Sequence, residues 1–332
     1  MDGTAERLSA EFDDAFRLVA GDSSWFVKVG LADGAACAAS TAVSFQTAVL
    51  LHLAEAAPGL PVQRVVPALD GRPEVSVAGN GDHRLVRMTS WLDGELLSRA
   101  DSSPELRRDL GATLARLSVA LRRFSHPGAL RTHRWDLQHL DRLRGPLADL
   151  PGDAVLPEVA AALGTAVPSG VRAGLEDYLD RFESVLRPRL AGVPVQVIHT
   201  DFHGENLLCD GARITGILDF GDALTGPVAM DVAVAACYQL GRGPDVLGSA
   251  LDVVAGYHGV DPLAEADLEL IAGFLVGRVA ARIILSQWHA MREPSNRGYL
   301  LRRTPQAIEL FAALRLLTPE DIVGRLRAVL SA

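Results

Sequence analysis

In the first 88 residues apolar and polar positions alternate in short runs, the period of a half-buried strand. Runs at 16–20, 25–30, 62–67, 73–77 and 83–88 are read as strands, and a longer stretch, 40–57, as a helix set between the second and third. That order predicts a small antiparallel sheet with one helix packed on it. A short stretch, 89–94, follows as a linker, and beyond it the apolar period lengthens to that of helices. Ser103-Pro104-Glu105 is a helix start, and Leu106, Leu110, Leu114, Leu117 and Leu121 then repeat at helical spacing as a packing stripe. Pro127-Gly128 and Pro151-Gly152 mark loops. A helix over 175–186 leads to a buried strand at 195–198, a polar loop over 200–205 and a second strand at 214–218. Helices over 230–240, 267–291 and 305–317 complete the pattern. The chain therefore reads as α+β, with a sheet-based lobe over 1–88, a hinge linker over 89–94 and a mostly helical lobe over 95–332.

The strand, loop, strand passage holds the chemistry. It reads His199-Thr-Asp-Phe-His-Gly-Glu-Asn206, then Gly216-Ile-Leu-Asp-Phe-Gly-Asp222. Phosphoryl transfer from a nucleotide needs a carboxylate beside the acceptor hydroxyl and oxygen ligands that hold magnesium against the phosphates. Asp201 suits the first task, and Asn206 and Asp219, the latter delivered by the end of a strand, suit the second. Two other readings compete. The same residues serve as turn and cap residues in many chains, and His199, Asp201 and His203 could share a divalent ion as in a metallohydrolase. The second leaves Asn206 and Asp219 without a task.

Lys28 is the single lysine among 32 Lys plus Arg. An ammonium and a guanidinium are not interchangeable where a compact charge must touch a phosphate oxygen. Within Trp25-Phe-Val-Lys-Val-Gly30 the lysine is either an edge-strand gatekeeper or a phosphate-binding lysine. The downstream loops favour the second.

These residues carry a family resemblance. The chain resembles the aminoglycoside phosphotransferase and choline kinase type of small-molecule kinases, relatives of the protein kinases. That family's catalytic loop commonly reads His-Gly-Asp-Leu-His-Pro-Gly-Asn and its metal loop Ile-Asp-Phe or Ile-Asp-Trp; here they are 199–206 and Leu218-Asp-Phe220. The resemblance implies a bilobal protein-kinase-like fold, ATP or GTP as donor and Mg2+ as cofactor. By it Asp201 is the catalytic aspartate, Asn206 and Asp219 bind magnesium, and Lys28 contacts the nucleotide phosphates. His199 and Asp231, the latter in Gly226-Pro-Val-Ala-Met-Asp231, brace the catalytic loop. Ser90 and Leu92, in the linker, would meet the purine edge through their backbone, and Trp91 is either a stacking platform or core. Further stretches are similar to the hydroxylysine kinase branch: Glu11-Phe-Asp-Asp-Ala-Phe16, Phe124-Ser-His-Pro127, Arg134-Trp-Asp-Leu137, Arg278, Pro294-Ser-Asn296 and Tyr299-Leu300.

The chain also departs from the pattern. The expected phosphate-facing loop, 9–16, has no glycine. Where a helix glutamate commonly faces the lysine, the best-aligned residue is Gln46, which can hydrogen-bond an ammonium but brings no charge. Thr200 replaces a glycine, and Gly204-Glu205 replaces Pro-Gly.

The formal charge of −9 argues against nonspecific nucleic-acid binding and suits a cationic partner. Cys37, Cys209 and Cys237 lack a metal-ligand spacing and are expected to be free thiols in a reducing compartment. The acidic N-terminus does not read as a signal peptide, and no apolar run reaches the length of a membrane span. The expectation is a cytoplasmic monomer or homodimer that meets a nucleotide and a small-molecule acceptor, with no nucleic-acid or membrane partner. Candidate acceptor residues are Asp222, Glu205, Tyr238, Arg278, Arg282, Trp288 and Asn296. If Arg278 or Arg282 faces the acceptor, a carboxylate is its natural partner. The leading expectation is an ATP- or GTP-dependent kinase of a hydroxylysine-like amino acid or amino alcohol. The alternatives are an antibiotic kinase acting on an aminoglycoside, macrolide or nucleoside, and a non-catalytic nucleotide-binding regulator. No Ala-Pro-Glu segment follows the metal loop, as a protein kinase would need.

Overall fold

The computed structural model describes residues 3–8, 14–32, 39–79, 82–164 and 167–331. Expectations about Glu11, the 9–13 stretch and Cys37 lie outside the described residues. The chain forms two compact units. One comprises Met1–Asp101, Arg116–Arg131 and Gln196–Thr225, the other Ser102–Ala115, Thr132–Val195 and Gly226–Ala332.

The first unit opens with strands β1 (Thr4–Leu8), β2 (Asp14–Ala20) and β3 (Ser23–Ala32), helix α1 (Ala39–Ala56), and strands β4 (Val65–Val66), β5 (Val75–Gly79), β6 (Asp82–Ser90) and β7 (Glu95–Leu96). The main sheet runs β1-β2-β3-β6-β4, with β5 also paired to β6, and every pairing is antiparallel. Residues 14 and 15, expected in a loop, already belong to β2. Of the strand expected over 62–67 only the Val65–Val66 pair survives, with Val62 making an isolated bridge to Ile217.

Register places Lys28 opposite Ala15 on β2 and Arg87 on β6. Residues directly opposite share a face of the sheet, and two cations so placed repel unless each finds its own partner. Arg87, only 6% exposed, donates to Gln46 Oε1 (3.1 Å) and Thr47 Oγ1 (3.1 Å) on α1. Helix α1 buries Phe45, Val49 and Leu53, four residues apart, which sets the helix face that brings Gln46 to the sheet.

Beyond the linker come α2 (Pro104–Leu121), α3 (Arg144–Asp149), α4 (Pro157–Leu163), α5 (Val171–Arg181), α6 (Arg187–Leu190) and strand β8 (Val195–Ile198). Strands β9 (Leu207–Asp210), β10 (Arg213–Ile217) and β11 (Leu224–Pro227) follow. They make two small sheets, β10-β9-β7 and β11-β8, which frame the candidate loops. The chain ends in α7 (Val228–Cys237), α8 (Gly248–His258), α9 (Glu265–Arg292), α10 (Arg297–Leu301), α11 (Thr304–Leu314) and α12 (Pro319–Leu330).

The leucine stripe of α2 is buried as expected, each of its five leucines no more than 1% exposed. In the second unit α9 is the central helix, packed by α7, α10, α11 and α12. All but the first residue of α7 are buried, and apart from Asp231 they are apolar or small. The single helix expected over 175–186 is instead α5, a π turn at Phe182–Leu186 and α6. The extra residue of a π turn shifts the helical phase while keeping Phe182 and Leu186 buried. Among the described residues no helix is long and apolar enough to cross a membrane.

A close helix approach in the second unit gives a stability prediction. A Cβ on Gly111 of α2 would fall 1.9 Å from the Val253 carbonyl oxygen on α8, and one on Gly256 would fall 2.0 Å from the Arg108 carbonyl oxygen. Both obstacles are backbone, so neither can swing away. Gly111→Ala is expected to destabilise the fold by about 1–3 kcal/mol or more, the overpacking range. Urea unfolding of the variant beside wild type checks this; an unchanged midpoint would contradict it.

Candidate active site

β8 leads into the candidate catalytic loop, 199–206. His199 follows the strand and is fully buried. Its Nδ1 accepts from the Asp201 amide (3.3 Å) and its Nε2 lies 3.0 Å from the Leu218 carbonyl. The Nε2–H tautomer satisfies both bonds, and the ring also packs edge-on to Phe202 and against Phe220. With both ring nitrogens so engaged, His199 cannot ligate a metal, which removes the metallohydrolase reading. Among the described residues no group of three His, Cys, Asp or Glu is placed to hold a metal ion.

Thr200 has φ 66, in the left-handed region where glycine is at ease and a β-branched residue is strained. Its Oγ1 donates to the Asp222 carbonyl (2.8 Å), and the side chain is buried. The departure from the family's glycine is thus a structural tie between the two loops.

Asp201 Oδ2 accepts from Asn206 Nδ2 (2.8 Å) and lies 3.1 Å from His203 Nε2. Asn206 Nδ2 also donates to the Asp201 carbonyl (3.0 Å), and His203 Nδ1 accepts from the Glu205 amide (3.2 Å). The carboxylate is therefore oriented from two sides while its side chain keeps 23% exposure. Gly204 allows the loop to touch Ser98, whose amide donates to the Gly204 carbonyl (2.9 Å); a Cβ there would meet that nitrogen at 2.8 Å. Glu205 Oε2 accepts from Ser98 Oγ (3.2 Å). The Gly204-Glu205 departure thus matches a contact with the Ser98 segment.

The candidate metal loop is held beside the candidate catalytic loop by the Leu218 amide, which donates to the Asn206 carbonyl (2.9 Å). Asp219 takes φ 52, and its Oδ1 accepts from the Gly221 amide (2.9 Å). Its side chain is 53% exposed, and Lys28 Nζ lies 3.8 Å from Oδ1. The donor set fits a magnesium ion. Both Asn206 Nδ2 bonds go to Asp201, which leaves the hard amide oxygen for another partner, and Asp219 adds a carboxylate. Magnesium takes few protein oxygens and completes its shell with water and phosphate.

Arg131 was not singled out from the sequence. Its Nε donates to the Ala223 carbonyl (3.0 Å), an Nη donates to the Gly221 carbonyl, and the guanidinium stands 5.7 Å from the Phe45 ring centre. Burial pulls this guanidinium below its usual value, and the Asp222 and Asp219 carboxylates oppose that shift. One arginine among many, in a loop of no regular period, gives no signal in the sequence.

Other expected residues fall elsewhere. Ser90 is the last residue of β6 and not part of a free linker. Its amide donates to the Arg64 carbonyl (2.8 Å) and its Oγ accepts from the Arg64 amide (2.9 Å), so that amide does not serve a purine. The Trp91 ring is covered by the Arg17 guanidinium at 4.4 Å, so it is neither plain core nor an open platform. Gln46 turns its carbonyl oxygen to Arg87, as above. Leu92 lies just beyond the strand.

In the second unit Arg278, 3% exposed, donates to Tyr238 Oη (3.1 Å) and stacks on Trp135 and Tyr238. Arg282, one helical turn on, stands over the same Tyr238 ring at 4.9 Å. Asp231 is buried in the first turn of α7. Asn296 ends a short turn, Pro294–Asn296. Trp288 belongs to a different cluster: its Nε1 donates to Asp149 Oδ2 (2.8 Å) between Arg134 and Arg292.

Comparisons with known proteins agree with this geometry. The chain is 25% identical over 280 residues to a hydroxylysine kinase of Danio rerio, covering 80% of this chain and 74% of that one. It is 28% identical over 270 residues to a homoserine kinase of Rhizobium johnstonii, covering 79% and 70%. Among solved structures, an amicoumacin kinase in complex with AMP-PNP and Ca2+ superposes with a TM-score of 0.65 at 16% identity, covering 92% of this chain and 87% of that one. A microcompartment-associated aminopropanol kinase gives 0.63 at 20% identity, covering 94% and 90%. The fold is thus kinase-like, with an antiparallel sheet toward the N-terminus and helices dominating the rest. With the family model matching residues 4–274, the chain belongs to the phosphotransferase enzyme family, and its chemistry is phosphoryl transfer to a small-molecule hydroxyl.

Proposed function

We propose that the acceptor is a hydroxylated amino acid or amino alcohol, with a hydroxylysine-like compound the first choice, and that the donor is ATP or GTP. The observation that carries the catalytic part is the Asp201 carboxylate, oriented by Asn206 and His203, together with Asp219 and Lys28 paired at 3.8 Å. Asp201 accepts the acceptor's hydroxyl proton or orients that hydroxyl. Its remaining exposure leaves room for the hydroxyl to approach. Lys28 offers a compact charge to a phosphate oxygen. Asn206 and Asp219 are the residues that would hold magnesium, which when bound supplies neutralisation of phosphate charge. Leu92 is the proposed backbone contact for the purine, and Gln46 contributes by fixing Arg87, the cation opposite Lys28.

The acceptor class has separate support. The acceptors named for the curated relatives, hydroxylysine and homoserine, are hydroxylated amino acids, and a solved neighbour is named for an amino alcohol. Candidate acceptor residues are Glu205 and Asp222 in the first unit and, taken separately, Tyr238, Arg278, Arg282 and Asn296 in the second, where the guanidinium groups are suited to a carboxylate. A cytoplasmic enzyme, monomeric or homodimeric, is the setting this reading implies.

A panel of hydroxylysine, homoserine, amino alcohols, aminoglycosides, macrolides and nucleosides, each with Mg2+ and ATP or GTP, tests the class. Diphosphate release is expected with the first three kinds. Release confined to the antibiotics or nucleosides would overturn the acceptor assignment and favour an antibiotic kinase.

A further inference from the structure

Arg131 joins three parts of the first unit. It follows a short turn, Pro127–Ala129, that is capped by His126, whose Nδ1 accepts from the Gly128 amide (3.1 Å). His126 in turn packs against Phe45 at 5.5 Å between ring centres, and Phe45, fully buried on α1, also stacks with Phe124 at 6.4 Å. The turn is thereby fixed to α1, and Arg131 leaves it with its guanidinium over the Phe45 ring.

The N–H edge of the guanidinium serves the candidate metal loop. The short helical turn Phe220–Asp222 ends with carbonyls that need donors from outside the turn. Those of Gly221 and Ala223 both turn to Arg131, one to an Nη and one to Nε. A planar fork can reach two carbonyls at once, and an ammonium on a flexible stem cannot hold the same geometry. The Gly221 amide meanwhile caps Asp219 Oδ1 (2.9 Å). One peptide away from the Asp219 carboxylate, then, the backbone is gripped by Arg131. Asp219 itself occupies the left-handed region, so its position depends on neighbours that hold the loop in place.

We propose that Arg131 is a positioning residue of the metal loop: by bonding the Gly221 and Ala223 carbonyls while stacking on Phe45, it holds Asp219 in its cation-binding orientation and couples helix α1 to the site. The proposal rests on the reading of Asp219 as a magnesium ligand. It also makes the sequence of Phe45 and His126 a requirement of the site, since both fix the platform on which the guanidinium lies.

The test uses Arg131→Met, which removes the donors and the charge, and Arg131→Lys, which keeps the charge and loses the fork. In metal-free protein, amide hydrogen exchange across 219–224 is measured first. Then nucleotide affinity is titrated with Mg2+, and kcat is separated from the acceptor KM. Exchange in the segment is expected to quicken in both variants. The Mg2+ midpoint should rise and kcat fall by about 10- to 100-fold, with the acceptor KM moving by less than about threefold, as when a partner of a metal ligand is lost. If Arg131→Met fails to fold, Arg131→Lys supplies the same comparison. Wild-type exchange and a wild-type Mg2+ midpoint in a folded variant would overturn the proposal. A wild-type protein whose nucleotide affinity ignores Mg2+ would instead overturn the magnesium role of Asp219, before any variant is made.

Discussion

Asp201→Ala is expected to lower kcat by about 10²- to 10⁴-fold, the range for losing a positioned acid or base, and to leave nucleotide affinity near wild type. The carboxylate is held by Asn206 Nδ2 at 2.8 Å and faces His203 Nε2 at 3.1 Å, an arrangement suited to orienting an acceptor hydroxyl. Asp201→Asn is the sharper variant. It keeps the shape of the side chain and removes the charge and the basic oxygen, so its deficit reports proton handling and orientation and not loop collapse. Steady-state kinetics with a fluorescent-nucleotide binding assay separates the two effects. Turnover near the wild-type rate in a folded variant would sink the assignment.

Asp219→Ala should act on a different quantity. With the carboxylate gone, the magnesium dependence of nucleotide affinity is expected to weaken, the Mg2+ midpoint rising by about tenfold or more, and kcat should fall by about 10²- to 10³-fold as transition-state charge loses its support. The substitution also removes the partner 3.8 Å from Lys28 and a carboxylate near Arg131. Asp219→Asn is the control, because asparagine tolerates the left-handed backbone at this position and can still cap Gly221. A variant pair with an unchanged Mg2+ titration would contradict the role of Asp219.

The two loops were legible because strand, polar loop and strand follow one another in few residues, and because the chemistry needs oxygen donors at fixed spacing. Lys28 was legible for a compositional reason, standing alone among the arginines. The stripe on α2 could be read because five leucines at helical spacing have few other uses. Shorter elements escaped. Strands β7, β9 and β11 have two to four residues each, too few to show a period, and their pairing is decided by the loops they frame.

Other features depend on contacts that no local pattern records. The partner of Gln46 was set by cross-strand register, which puts Arg87 opposite Lys28. Ser90 is held in the sheet by its register partner Trp25 on β3 and by Arg64, both distant in sequence. The strain at Thr200 has no sequence period, and only its departure from the family's glycine marks the place. Helix α12 is a different case. Thr318, Pro319 and Asp321 form a capping box with proline in the first turn, with Thr318 Oγ1 accepting from the Asp321 amide at 3.1 Å. That start signal was present in the sequence and was not used.

In the proposed reaction the Asp201, Asn206, Asp219 and Lys28 site moves a phosphoryl group onto a small-molecule hydroxyl. Phosphorus NMR of the wild-type protein with Mg2+, nucleoside triphosphate and each hydroxylated amino acid or amino alcohol tests it most directly. A new phosphomonoester resonance is expected that appears in step with nucleoside diphosphate, requires Mg2+, and is lost in Asp201→Asn. Tight nucleotide binding with no phosphomonoester on any acceptor, or triphosphate converted to diphosphate and inorganic phosphate alone, would contradict it.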